Sequence, residues 1–164
     1  MPITTVSRFA ALLALAALAA GLIALVRPKA YESVGFRSGV GLAALVAIAA
    51  TAGSLLYSEF YLFDPCQICW YQRIAMYPVV VTLVLGWWRN DRSVLRYAIP
   101  PAVIGAGISV WHLANQWALT ETSCTVGPSC TVRYVTEFGF VTIPFMALSG
   151  FVAIVGMLYA VRNQ

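Results

Sequence analysis

Five long stretches of this chain contain no Asp, Glu, Lys or Arg: Phe9 to Val26, Gly39 to Ser58, Ile74 to Trp88, Tyr97 to Thr120 and Phe138 to Val161. A bilayer core of about 30 Å is crossed by roughly 20 residues rising about 1.5 Å each. The second, fourth and fifth runs meet that length, the first is near its lower limit, and the third is short. The third gains length if its helix begins upstream near Pro65, because Pro65 to Trp88 holds a single charge, Arg73. Composition agrees: 61% of the 164 residues are hydrophobic and 10% charged, against roughly 25% charged in an ordinary soluble domain. A soluble domain and a disordered tail are excluded. The net charge of +4 comes from ten scattered basic residues, with no basic run, so a nucleic-acid partner is excluded too. The expected class is an all-α integral membrane protein.

Orientation follows from the basic residues. Arg27, Lys29 and Arg37 fall in one linker, Arg89, Arg92 and Arg96 in another, and Arg162 at the C-terminus; by the positive-inside rule these belong to the cytoplasmic side. The opposite connections carry Arg8, Arg73 and Arg133 together with Glu59, Asp64, Glu121 and Glu137. The N-terminus is therefore expected outside and the C-terminus inside. The Ala/Leu-rich first run after Arg8 also fits a cleaved signal peptide. Cleavage, however, would make the second run enter in the wrong sense, so an uncleaved extra helix is expected. The expected organisation is an extra transmembrane helix with a basic linker over residues 1–37, then a four-helix bundle over 38–164.

All four cysteines fall in the two connections expected outside. Cys66 and Cys69 follow the second run, Cys124 and Cys130 the fourth, and on that side no glutathione pool reduces disulfides. In Asp64-Pro65-Cys66-Gln67-Ile68-Cys69-Trp70-Tyr71-Gln72-Arg73, Asp64 suits a helix N-cap and Pro65 the first helical position. Cys66 and Cys69 then share one face of the first turns, where unpaired N–H groups and the helix dipole favour a thiolate. Arg73 lies one turn beyond Cys69, where a permanent cation is expected to lower that thiol's pKa and to hydrogen-bond a ligand oxygen. Cys124-Thr-Val-Gly-Pro-Ser-Cys130 suits a disulfide closing a small, exposed loop open to exchange. Thr131 to Phe140 mixes apolar and charged residues suited to lying along the membrane surface.

Blander readings stand beside these. The four cysteines also suit a zinc site across the two loops, or a pair of inert structural disulfides. Arg73 either marks a function or snorkels to the headgroups. His112 and Gln116, at i and i+4 in the fourth run, either offer hydrogen bonds to a ring carbonyl or bond a neighbouring helix. Tyr57, Tyr61, Trp70, Tyr71, Trp87 and Trp88 cluster at run ends and read mostly as an aromatic belt.

Cys66-Gln-Ile-Cys69-Trp70-Tyr71-Gln72-Arg73-Ile-Ala-Met-Tyr77-Pro78, the Cys124/Cys130 loop and Phe138-Gly-Phe-Val-Thr-Ile-Pro144-Phe resemble the disulfide bond formation protein B (DsbB) family, and more closely its BdbC-type branch. The resemblance covers about residues 38 to 162. The related vitamin K epoxide reductase family places its redox Cys-x-x-Cys after its loop cysteines, the reverse of the order here. The resemblance implies a four-helix bundle in the bacterial cytoplasmic membrane. That bundle takes electrons from a thioredoxin-fold thiol oxidase outside and passes them to a membrane quinone, ubiquinone or menaquinone. It implies that Cys124 forms the mixed disulfide with the partner, with Cys130 as its mate. Cys66 exchanges with that pair, Cys69 faces the quinone, and Arg73, with His112 and Gln116, lies beside it; no metal is implied. Two departures stand out: Phe9 to Val26 has no counterpart in four-helix members, and Cys124 and Cys130 are closer together than in the best-known branch. The rival readings are the reverse flow, in which thiols keep quinone reduced, and a membrane scaffold or metal-binding protein with structural cysteines.

Overall fold

The structure, a computed structural model, describes residues 3–31, 33–118 and 128–162. Those residues form α1 (Ile3–Val26), a 3-10 turn (Pro28–Tyr31), α2 (Phe36–Leu55) running into a π-helical turn (Leu56–Phe60), α3 (Gln67–Arg89) and α4 (Val94–Ala118). A short hairpin of β1 (Thr136–Glu137) and β2 (Val141–Thr142) leads into α5 (Ile143–Arg162). All five long helices have the length and apolarity to cross a membrane, as their charge-free runs imply.

Two helix starts differ from the sequence reading. The third helix does reach upstream of Ile74, but it begins at Gln67, and its N-cap is Cys66 rather than Asp64. The fifth begins at Ile143, not Phe138. Phe138 and Gly139 have φ of 52° and 80°, and the Phe140 N–H donates to the Glu137 carbonyl at 3.3 Å. Two successive positive φ values make the type I′ turn that suits a hairpin's twist. Thr136 then pairs with Thr142 and Glu137 with Val141. Absence of charge cannot separate a helix from a hairpin, whereas Gly139 and the β-branched Val141 and Thr142 favour the hairpin.

The far ends of α3 and α4 are joined tightly. Asn90 takes a left-handed conformation and donates its N–H to the Gly86 carbonyl, ending α3. Asp91 accepts from the Ser93 N–H at 2.9 Å and the Ser93 hydroxyl at 2.6 Å. These bonds hold its carboxyl below the usual carboxylate range and turn the chain into α4.

α5 is the hub. It packs on α1, α2 and α4, while α3 packs on α2 and α4, so α2 to α5 form a four-helix ring and α1 lies outside it against α5. The ring closes on Val40, Val79, Leu83, Phe151, Ile154 and Leu158. Lipid is as apolar as these side chains, so helices in a bilayer gain most from close backbone approach at small residues. At the α1–α5 crossing, a Cβ on Gly21 would sit 2.6 Å from the Ala153 Cα, and one on Gly156 would strike the Gly21 carbonyl. Leu12, Leu22 and Ile23 face outward.

Gly156→Leu must push α1 off α5, an overpacking cost of about 1–3 kcal/mol. The thermal unfolding midpoint of the purified protein in detergent is expected to fall by a few degrees. An unchanged midpoint would contradict the close crossing.

Candidate active site

The segment between α2 and α3 is set by aromatic stacking. After the π-helical turn, the Tyr61 N–H donates to the Leu56 carbonyl and the Phe63 N–H to the Tyr57 carbonyl, with Leu62 at φ 55° between them. The Phe63 ring lies between Tyr57, 6.2 Å away and nearly parallel, and Tyr134, at 4.7 Å. Tyr57 is buried, so it belongs to the interior and not to an aromatic belt.

Cys66 therefore arrives in extended conformation at the start of α3, where its sulfur accepts the Cys69 N–H at 3.4 Å. Cys66 and Cys69 are both free, their sulfurs 2.8 Å apart. From α4, His112 Nε2 lies 3.7 Å from Cys66 Sγ and 3.3 Å from the Cys130 carbonyl oxygen. Cys130 is disulfide-bonded and buried together with Cys66 and Ile68. Cys124, its expected mate, lies outside the described residues.

The electrostatics differ from the sequence reading in one respect. Thiolate-stabilising groups converge on Cys66, whereas the sequence reading put the helix terminus behind both sulfurs and the Arg73 cation behind Cys69. The Cys69 thiol donates to the Cys66 sulfur, and the His112 ring and the Cys69 N–H add to it. Together these outweigh burial and hold the Cys66 thiol well below the ordinary range. The later helix start adds the smallest of these contributions, by making Cys66 the N-cap that accepts the Cys69 N–H.

Arg73 does not snorkel. It is 8% exposed, donating from Nε to Ser54 Oγ at 3.0 Å and from Nη2 to the Ser54 carbonyl at 2.9 Å, with its guanidinium 5.3 Å from the Trp70 ring centre. This clamp ties α3 to the end of α2. Next to it, Gln72 donates to Ser109 Oγ at 2.9 Å and ties α3 to α4.

Cys66, Cys69, Arg73, His112 and Gln116 all line one cavity of about 520 Å³. The sequence-selected residues that are described thus come together, with Cys130 against Cys66. Gln116 Nε2 reaches the Val132 carbonyl at a long 3.5 Å, and Arg133 donates to the Gln116 backbone carbonyl at 2.9 Å, so the segment after Cys130 is tied to α4. Among the described residues, the buried Tyr57 hydroxyl, His112 Nδ1 and Gln116 Oε1 lack a hydrogen-bond partner, and all three residues line the cavity. Buried polar atoms left unpaired are costly, so they mark where a ligand's polar atoms would sit. Sequence reasoning missed Ser54 and Tyr57. The available signal was their i, i+3 spacing, which gives them one face at the end of the second run.

Among the described residues there is also a metal donor set, made of two of the cysteines and a histidine. The Cys66 and Cys69 sulfurs and a His112 ring nitrogen lie within 4.8 Å of one another, donors that suit Zn²⁺.

Residues 36–161 match the family model described as disulfide bond formation protein DsbB. The chain is 43% identical over 123 residues to the disulfide bond formation protein C of Bacillus subtilis (strain 168), covering 73% of this chain and 89% of that protein. It is 43% identical over 122 residues to the probable disulfide formation protein C 2 of Bacillus anthracis, covering 73% and 87%. To the probable disulfide formation protein of Metapseudomonas resinovorans it is 37% identical over 124 residues, covering 73% and 86%. No solved structure matches the chain.

Because the thiolate is the reactive form, alkylation of Cys66 by iodoacetamide should persist at pH values where an ordinary thiol is inert. It should decline only as pH falls through the lowered pKa. His112→Ala is expected to move that midpoint upward, measured by peptide mapping of alkylation rate against pH. A midpoint near the ordinary thiol value of about 8.5, unmoved by His112→Ala, would contradict the assignment of the thiolate to Cys66.

Proposed function

The chain belongs to the disulfide bond formation protein DsbB family of disulfide-generating membrane proteins, and from that premise we propose that it is a protein-dithiol:quinone oxidoreductase. It re-oxidises a thioredoxin-fold thiol oxidase on the outer face of the bacterial cytoplasmic membrane, with the N-terminus out and the C-terminus in. The observation that carries this reading is the meeting of three features at one point. A free cysteine pair opens onto an apolar cavity, a buried cation lies one turn below it, and the disulfide-bonded Cys130 is packed against Cys66.

The cavity's residues fit a quinone. Its volume of about 520 Å³ falls within the usual ligand-pocket range of about 300–1,000 Å³, with mostly apolar walls and a few convergent polar groups. Arg73 and the unpartnered Tyr57 hydroxyl are donors for ring oxygens, and the unpartnered His112 Nδ1 and Gln116 Oε1 complete the polar end. When bound, a quinone supplies the acceptor for two electrons and two protons.

The relay is then written on this chain's residues. A partner thiolate attacks Cys124, breaking its bond to Cys130, and Cys130 leaves as a thiolate. The partner's second thiol displaces Cys124, so the partner departs oxidised and the loop pair is left as a dithiol. That dithiol reduces the Cys66–Cys69 disulfide by exchange: one loop thiolate attacks Cys66 and Cys69 leaves, then the second loop thiol re-forms the loop disulfide and releases Cys66, whose thiolate is the better-stabilised leaving group. The Cys66–Cys69 dithiol returns to the disulfide by giving up two electrons and two protons on the cavity side, with Cys69 facing the acceptor. Arg73 stabilises negative charge there at no cost in reorganisation, because Ser54 already holds it.

A metal-binding role is the second reading, favoured by the Cys66, Cys69 and His112 donor set. Purified protein in detergent, supplied with a reduced thioredoxin-fold oxidase and ubiquinone or menaquinone, distinguishes the two and also fixes the direction of flow. Quinone-dependent turnover is expected, and both Cys69→Ser and Cys124→Ser should abolish it. Arg73→Met should lower turnover roughly 10- to 100-fold, the loss of a charge-assisted hydrogen bond worth about 1.5–3 kcal/mol, while the mixed disulfide at Cys124 still forms. Stoichiometric zinc without turnover on either quinone would replace the oxidoreductase reading with the metal-binding one.

A further inference from the structure

The family match begins at residue 36, so α1 lies outside it, yet α1 lines the same cavity as the cysteine pair. We propose that α1 is a wall of the quinone site, with Ala10, Leu13, Ala14 and Ala17 bedding the apolar tail while the ring lies at Cys69 and Arg73. This inference rests on the quinone reading above.

The geometry begins with packing. α1 and α2 each pack on α5 and scarcely on each other, which leaves a groove between them floored by α5. The cavity extends from Cys66 and Cys69 into that groove, bounded by Ala10, Ala14 and Ala17 on one side, Leu45 and Val46 on the other, and Gly150 beneath. Positions 10, 14 and 17 fall on one helical face and span about 10 Å along the axis. The small side chains on that face leave room for an apolar chain. The polar end of the same cavity holds the unpartnered Tyr57, His112 and Gln116 atoms, in residues 6%, 2% and 1% exposed. One end therefore calls for polar ligand atoms and the other for an apolar tail.

α1 is also pinned at both ends of this wall. Towards its C-terminal end, Gly21 lies against Gly156 and the Ala153 backbone. Towards its N-terminal end, the buried Ser7 hydroxyl donates to Glu137 Oε1 at 2.5 Å, and the exposed Arg8 lies 3.6 Å from Glu137 Oε2. Glu137 belongs to the hairpin between Cys130 and α5. The wall is thus tied to the segment that follows the loop cysteines, and its position is fixed by the bundle and not left to lipid.

The test uses the full chain in lipid nanodiscs with a ubiquinone analogue carrying a diazirine at the end of its tail. After photolysis, label is expected on residues 10–17 of α1. Ala17→Trp, which fills the groove, should reduce that labelling about tenfold, as a misfit of 1–3 kcal/mol in an apolar pocket does. It should raise the KM for long-tailed quinone by a similar factor and leave turnover of a tail-less quinone unchanged. Ala16→Trp adds the same bulk to the same helix at an exposed position outside the cavity lining and should change neither. Labelling of the native chain does not depend on whether a variant folds. Brisk turnover with no label on α1, or an Ala17→Trp defect equal for tailed and tail-less quinones, would overturn the proposal. Label on α1 without turnover would instead sink the oxidoreductase reading and leave the tail site standing, while absence of label on every helix would overturn the site.

Discussion

Putting a sulfur at the N-cap of α3 ties the chemistry of this chain to its backbone. Cys66 Sγ receives the Cys69 N–H where a helix would ordinarily use an oxygen, and neutral sulfur is a weak acceptor. The cap becomes strong only when the sulfur is anionic, so the helix terminus and the His112 ring both favour the state in which Cys66 is a good nucleophile and leaving group. The same imidazole nitrogen reaches the Cys130 carbonyl, joining the two cysteine-bearing segments at one point.

The remaining helices hold this junction in place. Ser54 at the end of α2 fixes Arg73, Ser109 of α4 fixes Gln72, and the Tyr57, Phe63 and Tyr134 rings brace the connection into Cys66. The Ser54–Arg73 and Gln72–Ser109 bonds cross between helices, so these polar groups are paired across the bundle, as burial within a bilayer demands. α5 carries the rest by backbone proximity, meeting α1 through Gly21 and Gly156. A closely packed hub with the sulfurs gathered at one end suits a thiol relay, because exchange needs sulfurs to meet while the acceptor site keeps its shape.

Much of this was legible in the sequence. The charge-free runs gave the five helices because a bilayer tolerates few charges, and the exception, Arg73, was legible because its burial is so costly. The positions of Cys66, Cys69, His112 and Gln116 could be grouped because helical spacing fixes their faces. What escaped was set by tertiary contacts. The N-cap moved from Asp64 to Cys66, since the aromatic stack, not local capping preference, decides where the chain turns into α3. The segment after Phe138 read as helix because hydropathy is blind to the left-handed pair at Phe138 and Gly139. Ser54 and Tyr57 gained importance only from what lies opposite them, and α1 read only as an extra transmembrane helix because its alanines say nothing alone about what they border.

The most direct measurement is a single turnover without any partner protein. The native chain is reduced anaerobically, freed of reductant and mixed with one equivalent of quinone, and quinol formation is followed by absorbance with the remaining thiols mapped by mass spectrometry. One quinol should form per chain, with the loss of two thiols that map to Cys66 and Cys69 or, after internal exchange, to Cys124 and Cys130. Quinone that stays oxidised while all four thiols remain reduced would contradict electron transfer from this cysteine pair to a quinone.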